Sequence, residues 1–98
     1  MASLPITWVE NVFDAARAGT HGAGKWDDEF EMLDYVCPCG CNTVRSLPIK
    51  AGDKESGRWK WDGNRDAPTF TPSIQHVPNK QNKCSWHGFM TKGEWVSV

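Results

Sequence analysis

Three cysteines within five residues, Cys37-Pro38-Cys39-Gly40-Cys41, set the tightest limit on how this chain folds. Thiols so close together cannot readily pair with one another in normal disulfide geometry. The fourth cysteine stands far along the chain, in Cys84-Ser85-Trp86-His87. Clustered ligands from two separate loops are how small domains assemble tetrahedral zinc, and Gly40 lets the first loop turn tightly enough for its sulfurs to converge. Five groups then compete for four positions. Either one cysteine is spare, or His87 stands aside and the shell is Cys37, Cys39, Cys41 and Cys84. A closed four-ligand site is structural, so the zinc is expected to hold the fold rather than do the chemistry.

A metal staple suits a chain of 98 residues in which hydrophobic residues make up 39%. That length allows one domain, 1–98, with a modest core that benefits from such help. Six tryptophans fill core volume with few residues and also offer contact surface. Eleven Lys and Arg against twelve Asp and Glu leave a net charge of −1, with no basic stripe, which argues against nucleic acid as a partner. No apolar run approaches the roughly 20 residues needed to span a bilayer, and the first residues lack a signal-peptide pattern. The expectation is a soluble, non-secreted, cytoplasmic protein that does not engage membranes. Oligomeric state leaves no sequence signal.

The apolar pattern predicts a small, mostly β, zinc-stabilised sheet or ribbon-like domain with long loops. Residues 1–28 read as a peripheral strand, a helical turn or two and a glycine-rich loop, and 29–98 as the core. Phe30 to Cys37 and Val44 to Ile49 fit strands, the second closed by Pro48 and a turn at Ala51-Gly52-Asp53. Trp59-Lys60-Trp61 alternates as a half-buried strand does, with both indoles on one face and Lys60 exposed, and Asp62-Gly63-Asn64 turns the chain after it. Thr69-Phe70-Thr71 and Ile74 to Val77 flank Pro72-Ser73. A missing N–H makes an interior sheet position unfavourable there, so Ser73 is expected at a bend or edge. Trp86 to Met90 and Glu94 to Val98 read as a hairpin turning at Thr91-Lys92-Gly93.

Gly19-Thr20-His21-Gly22-Ala23-Gly24-Lys25-Trp26 nearly matches a phosphate-binding loop, but Trp26 replaces the hydroxyl that would hold magnesium, and the chain is too short for the usual parallel sheet. It reads as a flexible loop. Ser73 is the more serious candidate, because a strand break can expose a hydroxyl to a neighbouring base. Among His21, His76 and His87, the first lies in a loose loop and the second points away along a strand. His87, close to Cys84, is best placed to be held rigidly.

Trp59-Lys60-Trp61-Asp62-Gly63-Asn64, then Ala67-Pro68-Thr69-Phe70-Thr71-Pro72-Ser73-Ile74, then Cys84-Ser85-Trp86-His87-Gly88-Phe89 with Gly93 beyond, resemble a family of small proteins carried by tailed phages and prophages. The resemblance covers about Tyr35 to Trp95, and the Cys37-to-Cys41 cluster is similar to one branch of it. Related members, encoded beside bacterial ubiquitin-like conjugation genes, have been proposed as zinc-stabilised serine peptidases. The resemblance implies Ser73 as nucleophile, His87 as base and Cys37, Cys39, Cys41 and Cys84 as the zinc shell. It also implies the host cytoplasm as the place of work if the chain is phage-encoded.

The reading that follows is a serine peptidase acting on an extended or ubiquitin-like protein tail. Trp59, Trp61 and Trp86 would contact the substrate, and backbone N–H groups near Ser73 or Gly88 would hold the oxyanion. The alternative is a non-catalytic zinc-bearing adaptor that binds a phage or host protein through its tryptophans. A Ser73–His87 hydrogen bond separates the two.

Overall fold

Short alternating runs make short strands, and the chain builds two sheets from them around one shared core. The computed structural model describes residues 3–51, 59–78, 80 and 84–98. In chain order the elements are β1 (Ser3–Pro5), β2 (Thr7–Trp8), α1 (Val12–Arg17), β3 (Ala23–Asp27), β4 (Met32–Val36) and β5 (Val44–Ala51). They continue as β6 (Trp59–Trp61), β7 (Phe70–Thr71), β8 (Ile74–Gln75), β9 (His87–Thr91) and β10 (Glu94–Ser97). One sheet has four strands in the order β1-β10-β9-β8, and the other six in the order β2-β3-β4-β5-β6-β7. The chain changes sheet between Pro5 and Thr7, and again at Pro72-Ser73, where the Thr71–Pro72 peptide bond is cis.

The mostly β architecture expected from the sequence holds, and α1, the one helix among the described residues, is short. Asn11 caps α1 by accepting from the backbone N–H groups of Phe13 and Asp14. Val12, Ala15 and Ala16 then pack on Ala23 and Val36 in a satellite cluster. The main core joins Leu33, Tyr35, Leu47 and Ile49 of the larger sheet to Ile74, Met90 and Trp95 of the smaller one. Burying a ring such as Trp95 or Phe70 removes roughly 150–250 Å² from water, worth at most about 4–6 kcal/mol each before entropy is counted.

Two local expectations need correction, and a third falls outside the described residues. Pro48 does not close β5, because it sits in the ladder opposite Met32 and the strand continues to Ala51. The turn expected at Ala51-Gly52-Asp53 lies outside the described residues beyond Ala51. The glycine-rich segment is not a flexible loop throughout, since Ala23, Gly24 and Lys25 open β3 and Gly22 to Gly24 are buried. A Cβ on Gly24 would come within 2.6 Å of Ile6 Cδ1, so glycine is there to let two segments meet closely. Residues 3–28 are accordingly woven into both sheets. β1 pairs with β10, and β3 is an interior strand beside β4.

Candidate functional site

β8 and β9 are antiparallel, with Gln75 opposite His87 and Ile74 opposite Gly88. Continuing that register places Ser73, two residues before Gln75, diagonally across from His87 on the same face, within reach of an imidazole. The result is a hydrogen bond of 3.0 Å between Ser73 Oγ and His87 Nε2. Both residues are half-buried. Trp59 donates its indole N–H to the Ser73 carbonyl at 3.2 Å, tying the serine to β6 of the larger sheet. Among the described residues no carboxylate hydrogen-bonds to His87.

His76 lies three residues from Ser73 and therefore on the opposite face. Its ring is buried, with 3% exposure. Nε2 is 2.7 Å from the Tyr35 hydroxyl, and Nδ1 is 3.5 Å from both Cys37 Sγ and Cys84 Sγ. Burial, with help from the positive charge of Arg45, pushes its pKa down to about 4, which keeps the ring neutral. Which ring nitrogen carries the proton depends on the sulfurs: against metal-held thiolates, which only accept, Nδ1 would donate and Nε2 would accept from Tyr35.

The four cysteines converge. Sγ of Cys37, Cys39, Cys41 and Cys84 all lie within 4.8 Å of one another, and none is in a disulfide. Cys37 Sγ is 3.2 Å from Cys39 Sγ and 3.4 Å from Cys84 Sγ. A tetrahedral ion with sulfur at about 2.3 Å needs sulfur–sulfur edges of about 3.8 Å, and the cluster brackets that value. Burial pushes the Cys37 thiol well up. At Cys41 burial is outweighed by hydrogen bonds from Thr43 that favour the thiolate, bringing it to about 6. Soft donors gathered at one point fit a single metal ion. His87 is not in the group, so the five-for-four ambiguity resolves toward four cysteines, with His76 against their sulfurs instead. Sequence reasoning missed that packing by Tyr35 and His76. The signal was the odd spacing of His76 from Ser73 along a strand.

The other expected contacts divide. Trp59 stands beside Ser73. Trp61 shares its face but serves the fold: the indole N–H groups of Trp61, Trp26 and Trp8 donate to the consecutive carbonyls of Asn64, Arg65 and Asp66. Trp59 and Trp61 are both half-buried against the core with Lys60 exposed between them, so neither ring is a free adaptor surface. Trp86 is not a substrate contact, because its ring is buried edge-on to Trp95 and its N–H donates to Ser97 Oγ. Gly88 is interior to the sheet, paired with Ile74 and Ser97, and its backbone faces strands rather than an oxyanion. Among the described residues no helix is long and apolar enough to cross a membrane.

Fold and site define a small β domain that carries a serine–histidine pair at a sheet edge and a cluster of four cysteines that could hold a metal ion. The model of one family, described as the bacterial ubiquitination-like system serine protease (BubE), matches residues 9–98. The chain belongs to this family. The match bears out the relation to serine peptidases of bacterial ubiquitin-like systems that the motifs imply, while a phage origin is a separate matter that it does not touch. No curated protein and no solved structure matches the chain.

Proposed function

We propose that the chain is a zinc-stabilised serine peptidase that cleaves an extended tail, with that of a ubiquitin-like protein as its substrate. The observation that carries this reading is the 3.0 Å contact between Ser73 Oγ and His87 Nε2. Ser73 Oγ attacks the scissile carbonyl while His87 Nε2 takes its proton, then returns that proton to the leaving amine. The resulting ester on Ser73 is released by a water that His87 activates in the same way. β8 forms one edge of its sheet, and an extended tail can add to that edge as a further strand.

The zinc belongs to the fold in this account. Cys37, Cys39, Cys41 and Cys84 would hold it, fastening the β4–β5 loop to the segment that leads into β9 and so fixing His87. Ser73→Ala should keep fold and metal while abolishing cleavage of a ubiquitin-like protein bearing a C-terminal extension. His87→Ala should do likewise. Metal loss in the His87 variant, with cleavage retained by Ser73→Ala, would defeat the reading.

A further inference from the structure

Along β5, Arg45, Leu47 and Ile49 share one face, and Leu47 and Ile49 are core residues. Arg45 sits opposite Tyr35 in the β4–β5 ladder, so a charge occupies a position where the pattern calls for an apolar side chain. Its Nε is buried and has no hydrogen-bond partner. No carboxylate pairs with it among the described residues. Arg45 as a whole is half-buried, but a buried Nε–H is costly to leave unmet, and an accepting ligand would meet it.

The side chain borders an open cavity of about 340 Å³, with Tyr35, Leu47, Trp59, Ile74 and His76. Among the described residues, two of the segments lining it have an edge with no strand paired to it. Residues 44–48 pair with β4 on one side, and β6 joins the other side only from Ile49 onward. β8 pairs with β9 alone. Ser73, just before β8, and His87 on β9 share one face, and Ile74 and His76 line the cavity. A peptide strand added along β8 sends alternate side chains to the two faces, so as its backbone passes Ser73 a neighbouring side chain enters the cavity. Among the described residues that line it there are one arginine and no acid.

We propose that Arg45 is a specificity residue that receives a carboxylate of the substrate in this cavity. A guanidinium fork matches a carboxylate in two parallel hydrogen bonds. The carboxylate is either an Asp or Glu side chain or the free end of the tail. The inference takes a peptide as ligand from the peptidase reading, but it does not need Ser73 to react.

The test uses ¹⁵N-labelled Ser73→Ala protein and follows the Arg45 Nε–H resonance. The probes are capped tripeptides in matched pairs: acetyl-Gly-Glu-Gly amide against its Gln twin, and acetyl-Gly-Gly-Gly acid against its amide. A saturable shift with an acidic probe and not with its uncharged twin is the expected result, and the pair that responds tells side chain from chain end. Arg45→Gln should weaken that probe at least about tenfold and erase the difference within the pair. Equal response to both members of each pair, or unchanged binding in Arg45→Gln, overturns the inference. If wild-type protein cleaves no tail yet the acidic probe still shifts Arg45, the peptidase reading falls and the anion site stands. Ser73-dependent cleavage that ignores acidic residues and Arg45 has the opposite meaning.

Discussion

Ser73 and His87 stand on one face of the β8–β9 pair because His87 is opposite Gln75 and Ser73 is two residues before it. The same parity sends His76 to the other face, against Tyr35 and the cysteine sulfurs. Two histidines near one serine thus acquire separate work. His87 is at hydrogen-bond range of the hydroxyl, and His76 belongs to the surroundings of the metal cluster.

The first expectation concerns that division. Ser73→Ala and His87→Ala should each lower tail cleavage by at least about a thousandfold, and the double variant should be little worse, since members of one unit fail together. His76→Ala should instead lower metal retention, measured by elemental analysis after dialysis against a chelator. Metal retention equal to wild type would contradict its place beside Cys37 and Cys84.

Metal removal should loosen the whole domain, because binding energy in a small site is folding energy. Elemental analysis is expected to find one zinc per chain, and chelation to lower the melting temperature. Cys37→Ser should unfold the protein more readily than Cys41→Ser, since Cys37 is fully buried and Cys41 exposed. Equal stability with and without chelator would refute the structural role.

Much of this was legible in the chain. The cysteine spacing announces that the sulfurs converge, and Pro72 announces the break between β7 and β8 at which the half-buried Ser73 sits. The hairpin of β9 and β10 falls where Lys92-Gly93 predicts a turn. Other features depend on partners distant in sequence. Gly24 reads as loop until Ile6 is seen to pack against it, and Trp86 reads as surface until it meets Trp95. Arg45 looks like an ordinary surface charge, and only the pairing of β5 with β4 and β6 shows that its face is the core face.

Gly88 provides a test of the small sheet. A Cβ there would lie 2.3 Å from the Val96 carbonyl oxygen and 2.5 Å from the Trp86 ring. Gly88→Ala should cost about 1–3 kcal/mol or more, read by chemical denaturation, because the near atom is backbone and has little room to yield. Wild-type stability would show that the β9–β10 pairing is more relaxed than described.

Trp61→Phe keeps a ring against the core but removes the donor to the Asn64 carbonyl. The expected loss is about 0.5–1.5 kcal/mol, with tail cleavage retained. A selective loss of cleavage without loss of stability would return Trp61 to the substrate-contacting residues.

The central claim is that Ser73 is a nucleophile activated by His87, and covalent labelling tests it most directly. Purified protein treated with a peptidyl phosphonate should gain a single adduct by intact-mass analysis, located on Ser73 by peptide mapping. The adduct should be absent in Ser73→Ala and form at least about a hundredfold more slowly in His87→Ala. Ser73 left unmodified in protein that cleaves the tail, or labelled at the same rate without His87, would contradict the account.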